Sequence, residues 1–121
     1  MYDYDVVCIG GGPGGSASAM RCADRGKKVA ISEARARNGS GGTCVNRGCI
    51  PTKALMASAN LYASIKEAKT YGINVDMSAV SVDFKAIDKR KNAVINGLGF
   101  GLEAMLWKQS RGIDDIKGRA R

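Results

Sequence analysis

The chain has 121 residues, enough for one modest domain, and its 45% hydrophobic content is that of a globular protein. No apolar run reaches the roughly 18 residues of a membrane helix, and the first residues lack a secretory signal, so we expect a soluble, intracellular protein with no membrane partner. The sequence leaves mitochondrial matrix, plastid stroma and cytoplasm open as compartments. The net charge of +8 is spread along the chain without interleaved aromatic residues, which argues against nucleic acid as a partner.

The first third of the chain has the pattern of a βαβ unit. A β-branched run over residues 4–9 predicts a buried strand, and glycines follow at 10–15. Small residues then predict a helix that stops at Gly26, and residues 28–33 predict a second strand. This order indicates an α/β fold with a parallel sheet.

Helices dominate the prediction for the rest of the chain. Residues 35–42 are polar and glycine-rich, typical of a loop, and Pro51 suits the first turn of a helix reaching about Thr70. Residues 73–80 predict an irregular connection.

A last helix and strand are expected beyond that connection. The helix is capped by Ser81 or Asp83, and glycines within residues 96–101 predict a kink or break in it, because each helical glycine costs about 1 kcal/mol. Residues 113–121 predict a final strand.

The glycine turn carries a nucleotide-binding pattern, Gly10-x-Gly12-x-x-Gly15. These positions permit a tight turn, close approach of a pyrophosphate and close packing of helix on sheet, with the phosphates at the helix N-terminus. Glu33, at the end of the second strand, is placed to bind an adenosine ribose. The competing interpretation is a glycine-rich turn that binds nothing.

Cys44 and Cys49 form the second pattern, five positions apart where a helix is expected to begin. A helix N-terminus stabilises a thiolate, and Lys53 adds a cation one turn further on, which favours a redox pair. A structural disulfide, half of a zinc site and two unrelated buried thiols remain alternatives, although the chain has no histidine to complete a zinc site. Cys8 and Cys22 are interpreted as small buried apolar residues.

Together, the glycine turn, Glu33 and residues 41–53 resemble the N-terminus of the class I pyridine nucleotide–disulfide oxidoreductases. That family includes dihydrolipoyl dehydrogenase, glutathione reductase and mercuric reductase, and the segments GGGPGG, GKKVAI and CIPTKALM are most similar to the first of these. The resemblance implies a partial doubly wound, Rossmann-like FAD-binding domain. Residues 1–121 would form the first segment of that domain, without the NAD and dimerisation domains that longer family members carry.

The resemblance also implies a cofactor site and a reaction. FAD would be the cofactor, and Cys44 would exchange with the dithiol substrate, a lipoyl group on a carrier protein, while Cys49 faces the flavin. Electrons from dihydrolipoamide would pass through the Cys44–Cys49 disulfide and FAD to NAD, in an enzyme that is a homodimer at full length. The implied FAD-binding residues are Gly10, Gly12, Pro13, Gly14 and Gly15 at the pyrophosphate, Glu33 at the ribose, Gly42 and Thr43 at the diphosphate and ribityl chain, Cys44 and Lys53 near the flavin ring, and Ala120 at the adenine.

Three features depart from the family pattern: Ser16 and Ser40 replace a bulkier and an apolar residue, and residues 97–101 are richer in glycine. Alternatives to dihydrolipoamide oxidation are a glutathione reductase-like or mercuric reductase-like activity. Another is a catalytically incomplete nucleotide-binding module with a thiol switch. In all cases we expect this segment alone to be inactive, to expose apolar surface and to be poorly soluble.

Overall fold

The computed structural model describes residues 1–34, 40–106 and 111–120. Its helices and strands are, in chain order, β1 (Val6–Ile9), α1 (Pro13–Ala23), β2 (Val29–Glu33), α2 (Gly42–Asn46), α3 (Cys49–Glu67), α4 (Phe84–Leu106) and β3 (Asp114–Lys117). Two 3₁₀ turns, Ala68–Tyr71 and Met77–Ala79, lie between α3 and α4.

The three strands form one parallel sheet with β2 in the middle, in the order β1-β2-β3. Val6 of β1 pairs with Val29 of β2, so these two strands with α1 between them form the predicted βαβ unit. Ile31 on the same central strand pairs with Asp115 of β3. The α/β class and the parallel sheet are therefore confirmed.

One face of this sheet carries the core. Val29 and Ile31 from β2 pack with Ala19 of α1 and with Leu106 and Ile113, and all five are at most 1% exposed. The end of α4 thus closes the core that the βαβ unit begins.

The other face of the sheet is buried along its central strand, where Ala30 is 0% and Ser32 is 8% exposed, but open on either side. Val7, Ile9 and Ile116 point to it and are 51%, 77% and 40% exposed, because strand residues alternate between faces. Parallel sheets normally bury both faces. The expectation that this segment exposes apolar surface is therefore confirmed.

The predicted break in the last helix is wrong. Helix α4 continues through Gly97, Gly99 and Gly101 to Leu106. A methyl group added at any of these glycines would meet nothing within 4 Å. The glycines are therefore not needed for close packing, and contacts of α4 with α1, α2 and α3 offset their conformational cost. The helix begins where the Asp83 carboxylate accepts a hydrogen bond from the Ala86 N–H at 3.0 Å, so Asp83 rather than Ser81 is its cap.

The segment around the cysteines is more helical than predicted. Residues 35–39 of the predicted loop lie outside the described residues, and Gly42 already opens α2. Helix α3 begins at Cys49, two residues before Pro51, and Gly72 ends its 3₁₀ extension with a φ of 78°. The final strand pairs only over Asp114–Lys117. Within the described ranges, no helix is both long and apolar enough to cross a membrane.

Candidate functional site

The glycine turn joins β1 to α1 and opens a helix N-terminus toward solvent. Gly10 has a φ of 94°, a conformation that favours glycine, and Pro13 is the first residue of α1. Gly12 is in the N-cap position and has no side chain to bond the first N–H groups of the helix. Such N–H groups, with the helix dipole, attract an anion.

Gly15 is required for α1 to pack against the turn. A methyl group at Gly15 would lie 1.9 Å from the Gly10 carbonyl oxygen. The neighbouring Ser16 is buried, and its hydroxyl donates to the Gly11 carbonyl at 2.8 Å. Ser16, a departure from the family pattern, therefore stabilises the turn.

Gly41 and Gly42 lie directly against Gly11 and Gly12 of the glycine turn. The Gly41 N–H donates to the Gly11 carbonyl at 2.8 Å, and a methyl group at Gly42 would lie 2.7 Å from the Gly12 Cα. Gly42 also has a φ of 56°. The two motifs that the sequence presents separately thus meet backbone to backbone.

Glu33 completes a cleft above these glycines. Its Oε2 accepts a hydrogen bond from the Gly11 N–H at 2.8 Å, which fixes the carboxylate beside the turn. The cleft has a volume of about 410 Å³. The residues that line it are Ile9, Gly10, Gly12, Gly15, Glu33, Ala34, Gly42 and Thr43. Six of the predicted FAD-binding residues therefore share one cleft, and Pro13 and Gly14 are exposed beside it on the first turn of α1.

Lys53 and Ala120 are outside this cleft lining. Lys53 is exposed on α3, and Ala120 is exposed beyond β3. The chain near Ala120 is tied to the end of β2, because the Gly118 N–H donates to the Glu33 carbonyl at 3.0 Å and the Ser32 hydroxyl to the Gly118 carbonyl at 3.2 Å. The binding roles of Lys53 and Ala120 stay predictions.

Cys44 and Cys49 form a disulfide, with their Cα atoms 4.6 Å apart. Cys44 lies in α2, two residues from Gly42, and Cys49 is the first residue of α3. The interpretation as two unrelated thiols is therefore wrong. Among the residues the structure describes, no group of three or more acidic, cysteine or histidine residues could hold a metal, so nothing completes a zinc site there.

The disulfide lies at a helix N-terminus, and a lysine follows further along the same helix. Cys49 begins a 19-residue helix, so its sulfur lies at the positive end of the helix dipole. Lys53 is one turn further along the same helix, at the spacing that brings two side chains together.

The other two cysteines form no disulfide. Cys8 in β1 and Cys22 in α1 are free and packed against the core, but they are half-buried rather than buried as predicted. Burial and then the Cys22 thiol raise the pKa of Cys8. Cys8 is therefore a poor nucleophile at neutral pH.

Sequence reasoning missed a set of polar side chains around the disulfide. The Asn46 amide donates to the Gly42 carbonyl at 2.8 Å and to the Ser40 carbonyl at 3.2 Å. The buried Ser40 hydroxyl donates to Glu103 on α4 at 3.1 Å. These contacts join residues up to 63 positions apart, and only the unusual serine before Gly41 signals them in the sequence.

The fold and site define a class of protein. Residues 4–111 match the family model for pyridine nucleotide-disulphide oxidoreductases. The chain belongs to that family, as its resemblance to it predicted.

Individual relatives narrow the comparison. The chain is 42% identical over 116 residues to a dihydrolipoyl dehydrogenase of Chlamydia pneumoniae, covering 96% of this chain and 24% of that protein. It is 42% identical over 106 residues to a dihydrolipoyl dehydrogenase of Bacillus subtilis, covering 88% and 21%. The mitochondrial dihydrolipoyl dehydrogenase 2 of Arabidopsis thaliana is 39% identical over 117 residues, with 96% and 22% covered. The chain thus spans about a quarter of the length of these relatives.

A solved structure agrees in fold. The HOCl-induced flavoprotein disulfide reductase RclA from Escherichia coli, as its Cu(II) complex, matches with a TM-score of 0.66 and 34% identity. The match covers 95% of this chain and 22% of that one.

Proposed function

We propose that this chain is the cofactor-binding and redox-active segment of a flavin-dependent disulfide oxidoreductase that oxidises dihydrolipoamide, with FAD as cofactor and NAD as final electron acceptor. The observation that carries the proposal is the Cys44–Cys49 disulfide, two residues from the point where Gly42 packs on Gly12. The similarity to dihydrolipoyl dehydrogenases supports the substrate. The NAD and dimerisation domains, and the homodimer, belong to the full-length form.

The cleft fits a dinucleotide because its floor is bare backbone. A methyl group at Gly10 or Gly14 would meet nothing within 4 Å, so this part of the turn is accessible to a diphosphate. The N–H groups at the start of α1, around Pro13 and Gly14, are placed to bind that diphosphate together with Gly10 and Gly12. Glu33 sits at the end of β2, where a carboxylate binds ribose hydroxyls.

The remaining cofactor contacts are those that the resemblance to the family implies. Thr43 and Gly42 continue from the cleft toward the disulfide and bind the diphosphate and ribityl chain. With FAD bound, Lys53 would lie near the flavin ring and the backbone of Ala120 would bind the adenine. FAD, when bound, supplies the two-electron chemistry, while the protein supplies binding and orientation.

The cysteines accept electrons by thiol–disulfide exchange. A thiolate of the substrate attacks Cys44 Sγ, the protein disulfide breaks, and Cys49 leaves as a thiolate stabilised by the α3 N-terminus and by Lys53. The second substrate thiol then attacks the mixed disulfide and releases Cys44. The substrate becomes a disulfide, and its two electrons and two protons are accounted for by the reduced cysteine pair.

The test is flavin binding by the 121-residue chain. The protein is incubated with FAD, freed of unbound cofactor, and its visible absorbance is recorded before and after addition of dihydrolipoamide. We expect retained flavin absorbance and a new long-wavelength band after reduction. The Cys44→Ser variant should retain flavin without the dithiol-dependent band, and Gly12→Val should lose flavin while its disulfide still forms.

Two results oppose the proposal. If the chain retains adenine nucleotides but no flavin, it is a nucleotide-binding module with a thiol switch. If flavin is retained and the Cys44→Ser variant shows the same dithiol-dependent band, the disulfide is not in contact with the flavin.

A further inference from the structure

We infer that helix α4 clamps residues 40–54, the redox segment, on both sides of the disulfide. This clamp raises the stability of the disulfide relative to the dithiol. One hydrogen bond holds the chain four residues before Cys44, and another holds it five residues after Cys49. Both come from α4.

The bond after the disulfide involves Arg90. Its Nη1 donates to the Ala54 carbonyl at 3.1 Å, and Ala54 is 7% exposed. A guanidinium bonded to a carbonyl is a charge-assisted hydrogen bond, stronger than one between neutral groups. It attaches the beginning of α3, and with it Cys49, to α4.

The bond before the disulfide involves Glu103. Its Oε1 accepts from the hydroxyl of Ser40 at 3.1 Å, and Ser40 is 5% exposed. Asn46, between the two cysteines, ties α2 to the carbonyls of Ser40 and Gly42. Movement of Cys44 is therefore limited by its own segment and by α4.

The two attachment points lie on one unbroken helix. Arg90 and Glu103 are 13 residues apart, which is about 20 Å along the axis. A continuous helix keeps that separation fixed, so the ends of the redox segment cannot drift apart. The continuity of α4 through its glycines is thus a condition for the clamp.

A clamp matters most when the disulfide is open. Reduction gives the segment back the conformational freedom that the S–S bond had removed. Side-chain bonds that still hold both ends reduce this gain, keep the sulfurs close and favour re-oxidation. Loss of the clamp should therefore make the dithiol more favourable and the reduction potential less negative.

The experiment measures the thiol–disulfide equilibrium of the 121-residue chain against glutathione, without flavin. Two glutathione thiols supply two electrons and two protons, the Cys44–Cys49 bond breaks, and one glutathione disulfide forms. The reduced fraction is trapped by alkylation and counted by mass spectrometry. This inference rests on the redox role proposed above, but the assay does not need FAD, so a failure of flavin binding and a failure of the clamp give different results.

We expect the Arg90→Ala and Glu103→Ala changes each to lower the equilibrium constant for disulfide formation about threefold. The double variant should lower it about tenfold, which is about 30 mV for a two-electron couple. Glu103→Gln keeps an acceptor for Ser40 and should restore the wild-type constant. Lys89→Ala, an exposed cation next to Arg90, is the matched control and should have no effect.

Ser40→Ala is a second test, because it removes the Ser40–Glu103 hydrogen bond by deleting its donor instead of its acceptor. In a double-mutant cycle its effect should not add to that of Glu103→Ala. Circular dichroism identifies a variant that has lost its helices. The inference is overturned if the folded clamp variants keep the wild-type constant, or if Lys89→Ala shifts it equally.

Discussion

The close packing of α1 on the glycine turn can be tested at Gly15, because the adjacent Gly14 provides a control glycine without close contacts. The Gly15→Ala change places a methyl group 1.9 Å from the Gly10 carbonyl oxygen, whereas such contacts essentially never fall below 3.0 Å. The obstacle is backbone, so no side-chain rotation can remove it. Helix and turn must separate by about 1.1 Å at this point, judged from those two distances.

The magnitude follows from two opposing terms. Overpacking of this kind costs about 1–3 kcal/mol. Alanine gains up to about 1 kcal/mol over glycine as a helix former. A 1.9 Å contact with backbone puts the cost at the upper end of its range, so we expect a net loss of about 2 kcal/mol for Gly15→Ala. At Gly14 a methyl group would meet nothing within 4 Å, so Gly14→Ala should be neutral or stabilising by up to about 1 kcal/mol.

The assay is urea unfolding of the chain followed by circular dichroism. With a slope of about 1–3 kcal/mol per M, Gly15→Ala should lower the midpoint by about 1 M relative to wild type. The Gly14→Ala midpoint should equal or exceed that of the wild type. Equal midpoints for the two alanine variants would refute the close approach of α1 to the turn.

Three further outcomes follow from individual contacts. Asp83→Ala should lower the free energy of unfolding by about 1 kcal/mol because it removes the α4 cap, whereas Asp83→Asn should be near neutral; equal effects of the two in urea would contradict the cap. Gly97→Ala should raise that free energy by up to about 1 kcal/mol, and a lower midpoint would mean that the helix is interrupted there. After reduction, Cys8 should react with iodoacetamide at pH 7.5 more slowly than the redox pair, and faster as pH rises toward its raised pKa; peptide mapping that finds equal rates would contradict its burial.

The βαβ unit and the glycine turn could be predicted from sequence because their signals are local. A β-branched run, glycines at fixed spacing and a proline at the first helical position each dictate the backbone of their own neighbours. The start of α4 was ambiguous between Ser81 and Asp83 for the same reason. Either side chain could cap a helix, and only the bond to the Ala86 N–H distinguishes them.

The continuity of α4 could not be predicted because it depends on distant contacts. Local propensity counts Gly97, Gly99 and Gly101 against a helix. Packing of α4 on three other helices opposes that local cost. Residues far along the chain supply this packing, so no window of sequence contains it.

The candidate site also contains some features that local sequence determines and others that depend on contacts between distant residues. The glycine turn and the Cys44–Cys49 pair could be predicted because a tight turn and a disulfide need particular residue types at short spacings. The contacts of Arg90 and Glu103 could not be predicted, since any polar side chain of α4 could reach the redox segment if the fold brought it there. The first group determines which chemistry the site can perform. If the clamp and the proposed FAD site are both correct, the second group sets only the position of the thiol–disulfide equilibrium. Substitutions there should then alter the reduction potential of the cysteine pair and leave flavin retention intact.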